Sequence, residues 1–282
     1  MTAGAHLAPD PPSNLTARLA PEAGAHLAPP LLEVQGLAKD FGGLAAVRGV
    51  DFAVRAGQIK ALIGPNGAGK TTIFNLIAGA LAPTRGRVLF EGTPLPVRRP
   101  HAVAARGIAR TFQLVRLFGE MSVLETVLVG CHRRGRAGWA ACALRTRAAR
   151  EDEAQLERRA QTVLALLDLG ARADQPAAAL PYGEQRLVEL GRALAAEPKL
   201  LLLDEPGAGL GRDEQARLAA IIRTIRDAGT TVLLVDHHMD FVLGLSDEVV
   251  VLSYGEKLAE GRPEAVRTDP AVIDAYLGDE AA

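Results

Sequence analysis

The sequence predicts an α/β fold in which a parallel sheet is covered by helices. Short apolar segments with strand character alternate with segments of helical periodicity, and a glycine-rich loop beginning at Gly64 joins a strand to a helix. A central block from about 121 to 196 is rich in Ala, Leu, Arg and Glu and has few strand signals. The alternation is typical of a parallel sheet, and the central block is predicted to be a helical insertion.

Composition and charge narrow the classes of protein that this sequence can encode. Of 282 residues, 48% are hydrophobic and 23% are charged, and the formal net charge is -1. These values predict a soluble globular protein and argue against the broad basic surface of a general nucleic-acid binder. The apolar runs are far shorter than the ~18–20 residues that span a bilayer. Two cysteines, Cys131 and Cys142, are too few for a disulfide framework, which indicates a reducing compartment such as the cytoplasm.

The first 30 residues differ from the rest in being rich in proline and alanine. They carry the segment Ala-Gly-Ala-His-Leu-Ala-Pro twice, at 3–9 and 23–29, and they lack the basic start and apolar run of a signal peptide. We interpret residues 1–30 as a disordered extension and give its histidines no ligand role. A docking peptide is the alternative interpretation, and the folded part is predicted to begin at Leu31.

From Leu31 onward the predicted elements follow one another in order. Alternating apolar residues predict strands that include 50–54 and 59–63, and apolar residues at helical spacing predict a helix over 71–81. The helical block comes next, with short breaks at glycines and at Pro176. Beyond it the two kinds of element alternate again: strand 200–203, helix 213–228, strand 231–235, helix 239–245 and strand 248–253.

The glycine-rich loop carries the clearest chemical signal in the sequence. It matches G-x-x-x-x-G-K-[ST] at every fixed position, between the predicted strand and helix, and comprises Gly64, Pro65, Asn66, Gly67, Ala68, Gly69, Lys70 and Thr71. Its glycines let backbone N–H groups surround a phosphate, and the helix start adds positive charge. Lys70 can reach the β- and γ-phosphates, while the Thr71 hydroxyl can bind Mg²⁺. The loop therefore predicts a nucleoside triphosphate and its magnesium ion as ligands.

A second group of candidate residues follows the four leucines at 200–203. Asp204 and Glu205 come directly after this predicted buried strand. Ligands of open α/β sheets gather at the carboxyl ends of the strands, so we expect Asp204 to face the metal and Glu205 the water that attacks phosphorus. In a chain that also carries a phosphate loop, this pair predicts nucleotide hydrolysis rather than a solvated strand end.

Between these two groups lies a segment that resembles the signature motif of the ABC-transporter ATPases. It reads Leu180-Pro181-Tyr182-Gly183-Glu184-Gln185-Arg186 and precedes a helical stretch. Phe41 stands in the place of that family's adenine-stacking aromatic residue, Gln113 in the place of the Q-loop and His237 in the place of the switch histidine. The resemblance covers about 31–278. The segments 107–113, 116–118, 123–125 and 271–278 are similar to the ATP-binding subunits of branched-chain amino-acid importers.

The resemblance implies a RecA-like P-loop NTPase core with an antiparallel β subdomain and an inserted α-helical subdomain. The ATPase domain would span 31–261, with the helical subdomain at about 116–197 and a C-terminal helical tail at 262–282.

The resemblance also implies a head-to-tail dimer in which each ATP lies between one chain's phosphate loop and the other chain's signature motif. Gln113 would contact Mg²⁺ and the attacking water, Glu205 would polarise that water, and His237 would hold the γ-phosphate. Thr71, Gln113 and Asp204 are the implied metal ligands. The implied nucleotide contacts are Phe41, the phosphate loop with Thr72, and Leu180, Tyr182, Gly183 and Glu184.

The partners implied by the resemblance are integral-membrane permease subunits and a second ATPase subunit, identical or different. A periplasmic solute-binding protein would act indirectly, and no nucleic acid is expected. The chain would lie on the cytoplasmic face of the inner membrane. Its docking face for the permease would include Arg116, Leu117, Phe118 and Met121.

Three residues depart from the family pattern. Pro181 stands where the signature usually has Ser, Glu184 where it usually has Gln, and Gly211 where the D-loop usually ends in Asp or Asn. We expect Glu184 to point aside, because its charge would repel a phosphate. The adjacent His237 and His238 are not expected to bind a metal, since no carboxylate accompanies them at ligand spacing.

We interpret the chain as the ATPase of an importer for branched-chain or hydrophobic amino acids. Two alternatives stay open: the ATPase of another system, such as urea uptake or lipid export, and a weakly catalytic nucleotide-binding partner in a heterodimer. A soluble protein of DNA repair or translation is disfavoured, because the sequence has no long coiled-coil insertion and no second phosphate loop.

Overall fold

The computed structural model describes residues 29–112, 117, 120–135 and 137–277, and its larger sheet has six strands. In spatial order the strands are β10 (Glu256–Gly261), β9 (Glu248–Ser253), β3 (Ile59–Ile63), β8 (Thr231–Val235), β7 (Leu200–Asp204) and β6 (Ile108–Arg110). All neighbours pair in parallel except β10, which runs antiparallel to β9. The predicted parallel sheet is therefore confirmed, with one antiparallel strand at its edge.

A second sheet has four antiparallel strands in the order β2, β1, β4, β5. Their bounds are β1 (Leu32–Phe41), β2 (Leu44–Val54), β4 (Arg85–Phe90) and β5 (Thr93–Pro94). This sheet corresponds to the antiparallel β subdomain that the resemblance implied.

Ten α-helices lie in the described residues, and four of them fall between β6 and β7. The first two are α1 (Lys70–Ile77) and α2 (Pro100–Ala105), and the helical block contains α3 (Val123–Cys131), α4 (Trp139–Ala143), α5 (Arg147–Leu166) and α6 (Tyr182–Leu194). The rest are α7 (Arg212–Asp227), α8 (Met239–Leu245), α9 (Pro263–Arg267) and α10 (Pro270–Leu277). The helical insertion is thus present, whereas the proposed domain boundaries stay predictions.

The central strands are apolar along their whole length because helices or the second sheet cover both faces. Every residue of β3, β7 and β8 is buried. Leu201 and Leu203 enter a core shared with α6 and α7, while Leu200 and Leu202 point to the opposite core with α1. This is the pattern of a parallel sheet buried on both sides, and it fixes the strand ends that carry the candidate site.

Local sequence explains where two of the helices begin or end. At the start of α3, the Ser122 hydroxyl accepts a hydrogen bond from the Glu125 amide and the Glu125 carboxylate accepts one from the Ser122 amide. The prediction that the helix after the phosphate loop runs to residue 81 was wrong. It ends at Ile77, because Gly79 adopts a φ of 70° and turns the chain.

The described residues were also searched for membrane spans. None of their helices combines the length and the apolar character needed to cross a bilayer.

Candidate nucleotide-binding site

The phosphate loop connects β3 to α1 and is shaped by glycines in the left-handed region of φ. Gly67 and Gly69 have φ values of 79° and 98°. A Cβ at Gly69 would lie 2.6 Å from the carbonyl oxygen of Ala46 in β2, and a Cβ at Gly64 would collide with the carbonyl of Leu252 in β9. Both positions therefore need glycine, because the backbones of the two sheets press against the loop.

Lys70 is the first residue of α1, and its ammonium group is held by the loop that precedes it. Its Nζ donates hydrogen bonds to the carbonyl oxygens of Gly64 at 2.6 Å and Pro65 at 2.7 Å. The side chain is buried, so the charge is fixed inside the loop rather than free in solvent. The next residue, Thr71, is exposed on the first turn of α1.

Asp204 ends β7, and its carboxylate is tied to the neighbouring strand and to α1. Arg110, the last residue of β6, donates from Nη2 to Asp204 Oδ2 at 2.7 Å and from Nη1 to Asn75 Oδ1 at 2.6 Å. Asn75 lies four residues after Thr71, on the same face of α1. The arginine therefore links Asp204 to α1, the helix that also carries Thr71. Sequence reasoning assigned no role to Arg110 or Asn75, since only the packing of β6 against β7 and α1 brings them together.

Glu205 follows Asp204 in a backbone conformation that is unusual for a residue with a side chain. Its φ is 47°, and its amide donates to the carbonyl of Val235 at 2.7 Å. Such conformations are held by their surroundings and occur often at functional sites. The Nδ1 atom of His237 lies 3.8 Å from Glu205 Oε2. The structure therefore brings together the predicted catalytic carboxylate and the predicted switch histidine.

Asp236 is a buried carboxylate that organises the loop around His237. It accepts hydrogen bonds from the Gly207 amide, the His238 amide and His238 Nδ1, at 2.8, 3.0 and 2.7 Å. The statement that no carboxylate accompanies the two histidines was wrong, because Asp236 groups with both of them within 4.8 Å. We assign Asp236 a positioning role, since two of these donors are backbone amides of the loops that it joins.

The signature segment begins α6 and is held by side chains of other elements. The Tyr182 hydroxyl accepts from Arg186 Nε at 3.0 Å, and a Cβ at Gly209 would lie 3.0 Å from the Tyr182 ring. A Cβ at Gly183 would collide with the carboxylate of Glu214, which accepts the Gly211 amide at 2.9 Å. The signature therefore contacts the loop before α7 directly.

The structure shows the surroundings of Glu184 and Pro181, the two residues of the signature that depart from the family pattern. Glu184 Oε2 lies 3.4 Å from Arg172 Nε, so the carboxylate is paired within the helical block, and its orientation relative to a bound phosphate stays a prediction. Pro181 occupies the N-cap position of α6, where no side chain caps the helix. A serine at this position would offer a capping oxygen that proline lacks.

Two buried charges on α6 join the signature helix to the segment before Gln113. Arg186 donates to the carbonyl oxygens of Phe112 and Ala208, each at 3.4 Å. Glu189 accepts the Phe112 amide at 3.2 Å. Burial raises the pKa of Glu189, while the Phe112 hydrogen bond and the charges of Arg192 and Arg186 act in the opposite direction. Sequence reasoning missed this junction, because it gave no role to Arg186 at the end of the signature segment and Glu189 belongs to no recognised motif.

Several predicted residues lie outside the described residues. They are Gln113, Arg116 and Phe118, together with residues 1–28 and 278–282. The assigned roles of Gln113 and of the docking residues Arg116 and Phe118 therefore stay predictions. Leu117 and Met121 are described and half-buried.

Two further side chains of interest belong to elements outside the parallel core. Phe41 ends β1 with 44% of its surface exposed, and the ammonium of Lys39 lies 4.9 Å from its ring centroid. An exposed ring there is available for stacking, and its contact with adenine stays a prediction. Burial raises the pKa of Tyr276 in α10 to about 12, against the opposing effect of the Gly64 backbone amide. The C-terminal helix thus reaches the first glycine of the phosphate loop.

Two family models match the chain. The model for ABC transporters matches residues 47–208, and the model for branched-chain amino acid ATP-binding cassette transporters matches residues 256–282. The first match covers the phosphate loop, the signature segment and Asp204 with Glu205.

Known relatives resemble the chain over almost their whole length. It is 43% identical to the high-affinity branched-chain amino acid transport ATP-binding protein BraF of Pseudomonas aeruginosa, covering 89% of this chain and 98% of that protein. It is 42% identical to LivG of Escherichia coli, with the same coverage. A solved ATP-binding cassette of an ABC transporter in its ADP conformation superposes with a TM-score of 0.78 and 33% identity, covering 88% of this chain and 99% of that one. The predicted fold class and family resemblance are confirmed.

Proposed function

The chain belongs to the ATP-binding subunits of ABC transporters, and from this premise we propose that it hydrolyses ATP to drive the uptake of branched-chain amino acids. Family membership makes it an ATPase subunit of a transport system and implies permease partners in the membrane. The amino-acid substrate, the roles of individual residues and the second ATPase subunit belong to the proposal.

One observation carries the proposed site. The phosphate loop, Asp204, Glu205 and His237 all follow the carboxyl ends of neighbouring parallel strands, and Glu205 and His237 approach within 3.8 Å. This edge is where open α/β sheets bind their ligands. The edge offers positive charge from Lys70 and carboxylates from Asp204 and Glu205, a combination suited to a triphosphate and a hydrolytic water.

The donor set at this edge fits a magnesium ion. Thr71 supplies an exposed hydroxyl and Asp204 a carboxylate, both hard oxygen ligands of the kind that Mg²⁺ prefers. Bound there with the nucleotide, Mg²⁺ would neutralise charge on the phosphates. We propose Thr71 and Asp204 as its protein ligands, with Gln113 as the third.

The remaining steps fall to this chain's own side chains. Lys70 would hold the β- and γ-phosphates, and Glu205 would orient the attacking water and accept its proton. His237 would donate a hydrogen bond to the γ-phosphate as charge develops on it. The bond from the Glu205 amide to Val235, together with the contacts of Asp236 to the Gly207 and His238 amides, would hold the loops that carry these two side chains.

The signature segment is proposed to serve a second ATPase subunit. The N-terminus of α6 would present Gly183 and its neighbours to the γ-phosphate held by the partner's phosphate loop. The junction of Arg186 and Glu189 would then couple this contact to the segment before Gln113.

The proposed transported solute and the proposed location of this chain rest on the names of its relatives. BraF and LivG are named for high-affinity transport of branched-chain amino acids, and the matching C-terminal model carries the same name. We infer that this chain energises permeases for such solutes from the cytoplasmic face of the membrane, with a periplasmic solute-binding protein acting indirectly.

A weakly catalytic subunit in a heterodimer is the second candidate function. Pro181 favours it, because α6 then lacks a capping hydroxyl at the end that would face phosphate. Glu184 and Gly211 favour it as well, since both depart from the family pattern.

The proposal is tested by uptake of labelled leucine, with urea as a control solute, in cells whose only copy of this protein is intact or carries Lys70→Ala. We expect Lys70→Ala to abolish leucine uptake and leave urea uptake unchanged. The matched control is Lys199→Ala, since that lysine is exposed and pairs with Glu91 away from the phosphate loop. Leucine uptake that survives Lys70→Ala would contradict the proposed substrate.

A further inference from the structure

Arg110 makes contacts that no motif anticipates. Its guanidinium joins three elements of the nucleotide site: it ends β6, pairs with Asp204 of β7 at 2.7 Å and bonds Asn75 of α1 at 2.6 Å. It also lies over the ring of Phe74, 5.9 Å from the centroid. The adjacent Thr111 accepts the Asp204 amide at 3.3 Å, so the end of β6 holds both the backbone and the carboxylate of Asp204.

The pair is shielded from solvent. The side chain of Arg110 is 15% exposed and that of Asp204 is 5% exposed. Within the described residues, the buried Nε of Arg110 has no hydrogen-bond partner, so the guanidinium is anchored through its two Nη atoms. At this depth the charge of Asp204 is compensated by a neighbouring cation rather than by water.

We propose that Arg110 is a positioning residue that competes with Mg²⁺ for Asp204 and so sets the metal affinity of the nucleotide site. The inference rests on the proposed function, in which Asp204 is a metal ligand. A divalent cation that approaches this carboxylate meets a positive charge already bonded to Oδ2. Mg²⁺ therefore binds a carboxylate whose charge is largely neutralised, and the site releases the metal more readily than an unpaired aspartate would.

The competing explanation is purely structural and predicts the opposite sign. If Arg110 only held Asp204 in its working orientation, removing the arginine would misplace a ligand and weaken metal binding. If Arg110 competes for the charge, removing it strengthens metal binding. The sign of the change in metal affinity therefore separates the two roles.

The experiment titrates Mn²⁺ into purified protein with bound ADP. Electron paramagnetic resonance measures the bound Mn²⁺, and protein is kept in excess so that little free ADP is present to bind the metal. ADP affinity is measured separately without metal. For Arg110→Gln we expect Mn²⁺ affinity to rise about tenfold, because one nearby positive charge is lost. Arg110→Lys keeps the charge but loses the two-pronged guanidinium geometry, so its Mn²⁺ affinity should lie between those of the unaltered protein and Arg110→Gln.

The matched control is Arg226→Gln. Arg226 also pairs with a carboxylate, Asp247, at 3.2 Å, but Asp247 precedes β9 and thus lies at the opposite end of the sheet. Arg226→Gln changes the net charge by the same amount as Arg110→Gln and should leave Mn²⁺ affinity unchanged. Lower or unchanged Mn²⁺ affinity in Arg110→Gln, with normal ADP binding, would overturn this inference alone. Failure of the unaltered protein to bind ADP would instead overturn the proposed function.

A second measurement uses the unaltered protein, so the inference can be tested even if the Arg110 variants do not fold. The guanidinium ¹⁵N resonances of Arg110 should shift when Mg²⁺ is added to the ADP-bound chain, since the metal draws on the same carboxylate. Resonances that do not move on saturation with Mg²⁺ would also overturn the proposed competition.

Discussion

The phosphate loop and the signature segment are both anion-binding motifs by resemblance, yet the fold shapes them by different means. The loop matches its pattern at every fixed position, and its conformation is set by glycine φ angles and by the backbones of β2 and β9. The signature departs from its pattern at Pro181 and Glu184, and distant side chains hold it: Arg172 pairs with Glu184, and Glu214 packs against Gly183.

The comparison shows which motifs a sequence can specify alone. A loop whose chemistry lies in backbone N–H groups needs only glycines and a helix start, both of which are local. The start of α6 is instead held by side chains from other parts of the chain, and the signature motif itself does not contain those residues. We therefore expect substitutions in the phosphate-loop region to have the larger effects and substitutions in the signature region to be more easily compensated.

The largest effect is expected from Glu205→Gln. Loss of the carboxylate removes one preorganised catalytic contact, so ATP turnover should fall ~10²–10³-fold while ATP binding stays normal. Steady-state phosphate release and equilibrium nucleotide binding measure the two quantities. Turnover close to that of the unaltered protein would assign the catalytic base to another residue.

Lys70→Ala should follow, with ATP affinity reduced about 10–100-fold. A hydrogen-bonded charge on the phosphates is lost, a contribution of ~1.5–3 kcal/mol. Equilibrium binding of a fluorescent ATP analogue measures it, with Lys199→Ala as the control for loss of a lysine. Equal affinities in the two variants would contradict the assignment of the phosphate loop.

Gly183→Ala tests the signature segment and is expected to have a smaller effect than the two substitutions above. A Cβ there collides with the Glu214 carboxylate, which must move and give up its bond to the Gly211 amide. We expect turnover to fall about fivefold, corresponding to a contact worth ~1 kcal/mol, with ATP binding by the isolated chain unchanged. In a Glu214→Ala background the same alanine should have little further effect, and an equal loss in both backgrounds would exclude this contact as the cause.

The smallest effect is expected from Pro181→Ser, which restores a capping hydroxyl to α6. The serine should stabilise the protein by about 0.5 kcal/mol, since the cap is favourable and the loss of proline rigidity partly offsets it. Thermal unfolding measures the change, and Pro181→Ala is the control that lacks the hydroxyl. Equal thermal stabilities of the Pro181→Ser and Pro181→Ala variants would show that a capping hydroxyl at this position does not stabilise α6.

Much of the fold could be predicted because it depends on local patterns. Strands 231–235 and 248–253 and the helix 239–245 have the predicted bounds, since continuous apolar runs and helical spacing are visible in short windows. The end of α1 was misjudged because its apolar spacing continues beyond the glycine that terminates it. The candidate site was predictable for the phosphate loop, Asp204 and Glu205, which stand at the ends of recognisable strands.

The sequence by itself determined the order of the elements, the phosphate loop and the family, because each rests on neighbouring residues in fixed spacing. Only the tertiary structure decided how the charges of the site are paired. Arg110 meets Asp204 across 94 residues of chain and Asn75 across 35, and Asp236 reaches the Gly207 amide across 29. Pairings over such separations depend on which strands become neighbours in the sheet, and that choice is made by packing of the whole chain rather than by any local pattern.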